Sequence, residues 1–431
     1  MIIITTTSRL DLTQRLISTL KANNLKYHII QHEWHGFLDK IHETAKYLRT
    51  VTDETHFIYT DAWDTIAMHG NLPQIDGLLI SGEKQCYPHP DKASQYPENP
   101  SQWKYVNGGG WGGEIAAFLY FYDLHKPTDE LNDQVWLTDV FLKYHTTDAI
   151  RIDYNCEVFQ TVAFAATGEL SNYYNEVTGS TPMFWHGNGH TDITKWVKAF
   201  ANSSLTNACA IWKNDIYTHQ LINEAFTDAV NETPKLKEYR DWIESNIFGF
   251  GERSFIWLWN LLSKEYPKGM DFLEIGVFRG QSLGAIKLCN PKAKVVGITP
   301  LDSSGGHWES NYAEDIKHLH NTFKLKQPQI IKGLSTDSSV KSLASRKSYD
   351  VIYIDGGHTY EDARHDVQIF SSFVKVGGYL VIDDCANSYP MPDGYFRGIE
   401  PVSRAVNELL PNDYYKEVLS VVHIRVFKRI K

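Results

Sequence analysis

The pattern of apolar and polar positions divides the chain into two blocks, in each of which short apolar runs alternate with segments of helical period. Strands that alternate with helices form mainly parallel, doubly wound sheets, so the predicted fold class is α/β for both blocks. Residues 201–245 match neither pattern and predict a mainly helical connector. The predicted strands are 2–7, 26–31, 56–61 and 77–82 in the first block and 270–277, 294–299, 328–333, 349–355 and 378–384 in the second.

These patterns predict three parts: a first domain over 1–200, the connector over 201–245 and a second domain over 246–431. Within the first domain, the segment KYVNGGGWGGEIAAFLYFYDL (104–124) predicts a strand, a glycine turn and a helix. Ligands of such sheets bind at the carboxyl ends of the strands, which is where candidate chemistry is to be sought.

Composition narrows the class of protein. The 431 residues are 42% hydrophobic and carry a formal net charge of −10, which argues against nucleic-acid binding as the main task. Five scattered cysteines without a C-x-x-C pair fit a reducing compartment. The chain starts without a signal-peptide pattern and has no apolar run long enough to span a bilayer, so a cytoplasmic location is predicted.

The second block opens on a candidate cofactor loop, LEIGVFRGQSL (273–283). Gly276 and Gly280 would let the backbone pass close to a bulky ligand, and Glu274 stands at the end of the strand. Alone, this spacing is equally typical of a tight strand–helix turn.

Acidic residues follow two later strands of the same block. Asp355 ends one apolar run with His358 three residues on, and Asp383 and Asp384 end the next. The two adjacent acids could simply cap the following loop, with His358 on the surface. Three carboxylates at one sheet edge suit a hard cation instead, and their order together with the glycine loop favours this second interpretation.

This order of motifs resembles class I S-adenosylmethionine-dependent methyltransferases over roughly residues 250–431, and more narrowly the metal-dependent sugar O-methyltransferases of the macrocin type. The resemblance implies S-adenosylmethionine as cofactor, Mg²⁺ held by Asp355, Asp383 and Asp384, and His358 as general base. Thr299 stands where many such enzymes carry a ribose-binding acid, and Asp302 is the candidate substitute. The cofactor-binding residues implied in this block are Glu274, Gly276, Gly280, Asp302 and Asp337.

In the first block, HFIYTDAWDT (56–65) ends an apolar run in Asp61 and Asp64. Two acids at this spacing are by themselves more typical of a helix cap than of a metal site. Other residues favour the metal site over the helix cap. Asp133 begins a predicted helix, and His186 offers a third ligand farther along the chain.

Ordered motifs across residues 1–200 resemble the glycosyltransferase domain of the procollagen lysyl hydroxylase and procollagen galactosyltransferase group, which has a GT-A-like, Rossmann-like fold. The resemblance implies that Asp61, Asp64 and His186 hold Mn²⁺ on the diphosphate of a UDP-sugar, and that Asp133 lies by the acceptor or the transferred sugar. Whether the anomeric outcome is retaining or inverting stays open. The matching positions are Thr5 and Thr6, Trp34, D-x-x-D, CYP (86–88), QYP (95–97), N-x-G-G (107–110), DQ (133–134), FQ (159–160) and HGNG (186–189). The donor-binding residues so implied are Thr5, Thr6, Trp34, Trp63 (stacked on uracil), Asn188 and Gly189.

The two resemblances together predict a bifunctional enzyme that adds a sugar to a carbohydrate or glycan acceptor and methylates a sugar hydroxyl. Two alternatives remain: a methyltransferase whose first domain only binds glycan, and a non-catalytic scaffold. The sequence leaves the oligomeric state open, a homo-oligomer included.

Overall fold

A computed structural model describes residues 1–128, 132–301 and 311–431. The chain forms two compact units, Met1–Phe200 and Ala201–Lys431. Each unit is an α/β structure, as the sequence predicts. Asp302, a predicted cofactor residue, lies outside the described residues.

The first unit is built on a six-stranded mixed sheet of order β2-β1-β3-β6-β5-β7 and a small sheet of order β4-β9-β8. β1 is parallel to both its neighbours, whereas β6 runs antiparallel to β3 and β5. All six residues of β1 are buried, which explains its unbroken apolar and β-branched sequence. The elements are β1 (Ile2–Thr7), α1 (Leu10–Ala22), β2 (Tyr27–Gln31), α2 (Asp39–Leu48), β3 (His56–Thr60), β4 (Thr65–Ala67), β5 (Leu78–Glu83), β6 (Tyr105–Glu114), α3 (Ile115–Leu124), α4 (Asp133–Tyr144), β7 (Ile150–Ile152), β8 (Phe159–Thr161), β9 (Phe184–His186) and α5 (Thr194–Ser203).

The glycine run of the first block forms the body of strand β6, and the predicted glycine turn is wrong. The reason is close packing. A Cβ on Gly112 would lie 2.4 Å from the carbonyl oxygen of Phe57, and one on Gly110 would lie 2.6 Å from the ring of Phe159. Because these glycines have no side chain, β3 and the ring of Phe159 can pack directly against the backbone of β6.

The second unit has a seven-stranded sheet of order β12-β11-β10-β13-β14-β16-β15. Its first five strands are parallel, and β16 pairs antiparallel with both β14 and β15. The elements are α6 (Leu205–Ile211), α7 (Ile216–Glu232), α8 (Pro234–Ser245), α9 (Arg253–Glu265), β10 (Asp271–Ile275), α10 (Gln281–Cys289), β11 (Lys294–Thr299), α11 (Tyr312–Thr322), β12 (Gln329–Lys332), α12 (Ser338–Ala344), β13 (Tyr349–Ile354), α13 (Tyr360–Phe370), β14 (Val374–Ile382), α14 (Glu400–Leu409), β15 (Tyr415–Val421) and β16 (Ile424–Arg429).

Helices α6 to α8, which cover most of the predicted connector, are built into the core of the second unit. Phe226 and Tyr239 are fully buried in one apolar cluster with Trp259 of α9 and Phe272 of β10. Burial of such large aromatic side chains contributes on the order of 2–3 kcal/mol each, so these helices stabilise the domain they precede.

None of the described helices is long and apolar enough to cross a lipid bilayer.

Candidate functional sites

Asp61, Asp64 and His186 converge at one edge of the first unit. Asp61 follows β3 and Asp64 precedes β4, whose first residue, Thr65, lies opposite His186 of β9. The ligand atoms of the three residues lie within 4.8 Å of one another. The antiparallel pairing of β4 with β9 therefore brings His186 beside two acids that are far from it in the sequence.

The distances in this cluster suit ligands arranged around one cation. His186 Nε2 lies 3.6 Å from Asp61 Oδ2 and 3.5 Å from Asp64 Oδ2, which is too long for strong hydrogen bonds. Two atoms bound to one metal at about 2.1 Å are themselves separated by about 3 Å. Burial alone would lower the pKa of the His186 imidazole, but the facing Asp64 and Asp61 carboxylates raise it. This concentration of negative charge around a buried imidazole fits a divalent cation.

Gly109 of β6 makes room for the imidazole. A Cβ at this position would lie 2.0 Å from His186 Cε1, and the Gly109 carbonyl also accepts a hydrogen bond of 2.9 Å from the Asp61 amide. One glycine therefore positions both ends of the cluster.

Gly109→Ala is expected to weaken Mn²⁺ binding about tenfold or more, because the added methyl group pushes the His186 ring out of the cluster. Titration of the full chain with Mn²⁺, in an Asp384→Asn background that weakens the candidate second metal site, would measure this. Gly251→Ala, in the second unit, is the control, since a Cβ there would come closer than 3.4 Å only to the flexible end of the Gln281 side chain. Unchanged Mn²⁺ affinity in a folded Gly109→Ala variant would contradict the assignment of His186.

Lys40, which the sequence interpretation missed, links two of the predicted site residues. Its Nζ lies 2.8 Å from Asp61 Oδ1 and 3.0 Å from Asp133 Oδ2, and its side chain is only 12% exposed. Burial would lower the pKa of Lys40, but the two carboxylates raise it well above its usual value. The lysine therefore stays charged and balances the acids. Its place at the start of α2 gave no signal in the sequence, because only the fold brings α2 beside Asp133.

A buried hydrogen-bonded frame surrounds Asp133. Gln134 accepts a hydrogen bond of 3.0 Å from the Gly108 amide and donates to Glu83, whose other oxygen accepts a 3.0 Å bond from Asn188. Burial raises the pKa of Glu83 to about 7. Glu83 was also missed, although a carboxylate at the end of an apolar strand is the same signal that marks Asp61.

The remaining predicted donor-site residues differ in their surroundings. Trp63 is 46% exposed, and its Nε1 donates a 3.0 Å hydrogen bond to Thr7. Thr6 joins Tyr59 through a 2.9 Å hydroxyl contact, and the Tyr59 hydroxyl lies 3.4 Å from Asp61 Oδ1.

Among the described residues, no hydrogen bond or ion pair joins Thr5, Gly189 or Trp34 to the metal cluster. The Thr5 hydroxyl is buried without a hydrogen-bond partner in the described part of the chain. Gly189 adopts the left-handed conformation, with φ of 66°, in the turn after His186. Trp34 is 42% exposed and packs edge-on against Phe37.

In the second unit, the three predicted carboxylates lie where β13 and β14 end side by side. They belong to two groups whose ligand atoms lie within 4.8 Å of one another, one with Asp355, His358 and Asp384 and the other with Asp383, Asp384 and His423. The Asp383 amide donates to the Ile354 carbonyl at 2.9 Å, which joins the ends of β14 and β13. The Asp355 amide donates to the Ile275 carbonyl at 2.8 Å, which joins the ends of β13 and β10. The Tyr353 hydroxyl lies 2.5 Å from Asp383 Oδ2 and 3.3 Å from Asp355 Oδ2.

Mutual repulsion makes this cluster electrostatically costly by itself. Burial, together with the neighbouring Asp383 and Asp384, raises the pKa of Asp355 well above its usual value. Burial and Asp383 raise the pKa of Asp384 to about 7. A bound divalent cation would offset this repulsion, so the donor set fits a metal. His358 Nε2 lies 3.3 Å from Asp384 Oδ2, with its side chain 40% exposed.

His423 is a second histidine at this cluster, and the sequence interpretation missed it. Its Nε2 lies 3.2 Å from Asp383 Oδ1 and 3.8 Å from Asp384 Oδ1. Burial would raise the pKa of Asp383, but the contact with His423 holds it below its usual value. The residue lies in the turn between β15 and β16, and the pairing of β16 with β14 brings it beside the acids.

The candidate cofactor loop lies next to these carboxylates. Gly276 has φ of 92°, and a Cβ there would lie 1.7 Å from the Asp355 carbonyl oxygen. Gly280, with φ of 87°, starts α10. Glu274 is 3% exposed, and burial raises its pKa to about 8. Asp337 accepts a 2.9 Å hydrogen bond from the Leu334 amide, which stabilises the turn that precedes α12.

Two family models match the chain. The PLOD GT domain model matches residues 1–204, and a methyltransferase domain model matches residues 273–385. An uncharacterised protein of Acanthamoeba polyphaga mimivirus, R699, is 26% identical over 258 residues, which cover 53% of this chain and 55% of that protein. The human multifunctional procollagen lysine hydroxylase and glycosyltransferase LH3 is 26% identical over 125 residues, which cover 27% of this chain and 17% of that protein.

The chain therefore spans about half the length of the first of these relatives and a smaller part of the second. Among solved structures, CalS11, a TDP-rhamnose 3′-O-methyltransferase of calicheamicin biosynthesis, aligns with a TM-score of 0.33 and 14% identity over 48% of this chain and 93% of that one. With the two models matched, the resemblances predicted from the sequence are confirmed: the chain joins a PLOD-type glycosyltransferase domain at its N-terminal side to a methyltransferase domain at its C-terminal side.

Proposed function

We propose that the chain is a bifunctional glycan-modifying enzyme, which transfers a sugar from a UDP-sugar with Mn²⁺ and methylates a sugar hydroxyl with S-adenosylmethionine and Mg²⁺. The observation that carries the proposal is that each matched domain has its own cluster of strand-end carboxylates and histidine. Glycosyl transfer is assigned to residues 1–200 and methyl transfer to residues 246–431, with 201–245 between them.

In the first domain, Asp61, Asp64 and His186 would hold Mn²⁺, which supplies positive charge where the departing UDP becomes negative. Lys40 pairs with both Asp61 and Asp133 and holds the two carboxylates close together. Asp133 would then orient the acceptor or the transferred sugar from the start of α4. The exposed face of Trp63 offers a stacking surface for the uracil ring.

In the second domain, Asp355, Asp383 and Asp384 would hold Mg²⁺, which lowers the pKa of a coordinated sugar hydroxyl. His358 would accept the hydroxyl proton, since its imidazole is partly exposed and lies at the edge of the carboxylates. The loop from Glu274 to Gly280 would bind S-adenosylmethionine beside Asp355.

Incubation with a panel of UDP-sugars, Mn²⁺ and candidate glycans is expected to release UDP, and addition of S-adenosylmethionine is then expected to add 14 Da to the glycosylated product only. Mass spectrometry follows both steps. Equal methylation of the unglycosylated acceptor would contradict the sequential order. UDP release without any methylation would contradict the assignment of the second domain.

A further inference from the structure

In the second unit, the carboxylate of Asp384 lies between two histidines, and each of its oxygens faces one of them. Asp384 Oδ2 faces His358 at 3.3 Å, whereas Asp384 Oδ1 faces His423 at 3.8 Å. Asp383 contributes to the His423 side only, with its Oδ1 3.2 Å from His423 Nε2. The ligand atoms of Asp383, Asp384 and His423 all lie within 4.8 Å of one another.

The His423 side has the spacing of a metal coordination sphere. Atoms bound to one cation at about 2.1 Å lie about 3 Å apart when adjacent and about 4.2 Å apart when opposite. The contacts of His423 Nε2 with Asp383 Oδ1 and Asp384 Oδ1, at 3.2 and 3.8 Å, fall within this range. The other oxygen of Asp383 accepts a hydrogen bond from Tyr353, which turns Oδ1 towards the histidine. Such outer contacts orient ligands in metal centres.

The His423 ring is held in this orientation by apolar contacts. Its centroid lies 4.9 Å from that of Phe255 and 5.0 Å from that of Phe396, both edge-on, and the residue is only 8% exposed. The turn between β15 and β16 fixes its backbone. The imidazole is therefore held in the protein interior, facing the carboxylates.

We propose that His423 is a nitrogen ligand of this centre, so that Asp383, Asp384 and His423 form a mixed imidazole–carboxylate site that prefers a first-row transition ion to Mg²⁺. The inference rests on the proposed function for the place of the metal and revises the ion: it keeps two of the carboxylates assigned there, Asp383 and Asp384, and replaces Mg²⁺ by a transition ion. Imidazole nitrogen binds transition ions far better than Mg²⁺, which favours oxygen ligands and retains water. His358 lies at the opposite oxygen of Asp384 and keeps its role in proton transfer.

Pulsed EPR of the full chain with Mn²⁺ tests this proposal. His186→Gln is the background, since it removes the nitrogen ligand of the first site while the chain stays complete. We expect ¹⁴N modulation from a directly bound imidazole, lost in His423→Gln and His423→Asn but retained in His358→Gln. We also expect Mg²⁺ to displace Mn²⁺ only at more than about a hundredfold excess, a ratio that His423→Gln decreases.

Absence of ¹⁴N modulation, or its persistence in both folded His423 variants, would overturn the proposal. Mn²⁺ binding that depends on Asp384 but shows no nitrogen coupling would also overturn it, while leaving a metal at the carboxylates and the proposed function intact. Nitrogen coupling that depends on His423, in a protein that transfers no methyl group with any ion, would support the metal site and refute the proposed function.

Discussion

Asp61→Asn is expected to lower UDP-sugar turnover by about a thousandfold, because it removes a charge from the site where the leaving diphosphate must be neutralised. The substitution preserves the volume of the side chain. It weakens both contacts of Asp61, one oxygen facing His186 and the other paired with Lys40. UDP release in the presence of Mn²⁺ and a UDP-sugar would measure the loss.

Asp53→Asn is the matched control, because Asp53 is 72% exposed and pairs only with Lys26 among the described residues. S-adenosylmethionine binding should be the same in both variants and in the unaltered chain. If Asp61→Asn released UDP as fast as the control, the carboxylate assignment would be wrong. If the unaltered chain released none, a first domain that only binds glycan would be favoured.

Much of both sites could be predicted because acids at strand ends leave a local signal. Asp61 and Asp355 each end an apolar run that forms a buried strand, and the carboxyl edge of a sheet is where ligands bind. The predicted fold class also needed only the alternation of strands and helices. Local patterns marked the acids, but the grouping of Asp61 with the distant His186 came from the resemblance of ordered motifs to a known family.

Residues whose roles depend on strand order were missed. Lys40 reaches Asp133 because α2 and α4 approach the same end of the sheet, and His423 reaches Asp383 because β16 pairs with β14. Neither arrangement has a signature in a short window of sequence. The prediction of a glycine turn was wrong for a related reason. Gly109 is required because His186, 77 positions away, packs against it, and not because the chain turns there.

The two clusters share strand-end carboxylates and a histidine, yet their charge balance differs. In the first, Lys40 pairs with Asp61 and Asp133 and provides a resident positive charge. In the second, no lysine or arginine among the described residues forms an ion pair with Asp355, Asp383 or Asp384. Burial and the neighbouring carboxylates raise the pKa values of Asp355 and Asp384. The second cluster therefore depends more strongly on a metal.

This difference predicts opposite effects on the stability of the metal-free protein. Asp384→Asn is expected to reduce methyl transfer by about a hundredfold or more. Above about pH 7 it should also raise the melting temperature in EDTA by a few degrees, because a neutral amide replaces a carboxylate whose charged form is disfavoured by burial and by Asp383. Asp61→Asn is expected to lower the melting temperature in EDTA, because Lys40 loses a partner in a buried site.

Thermal unfolding with EDTA and with saturating Mg²⁺ measures both effects in the same variants. The unaltered chain should gain melting temperature on addition of the metal, and Asp384→Asn should lose most of that gain. Asp413→Asn is a control in the same domain, since Asp413 is exposed to solvent. If Asp384→Asn destabilised the metal-free protein as Asp61→Asn does, the carboxylates of the second cluster would not be in electrostatic conflict, and the argument that the cluster depends on a metal would fail.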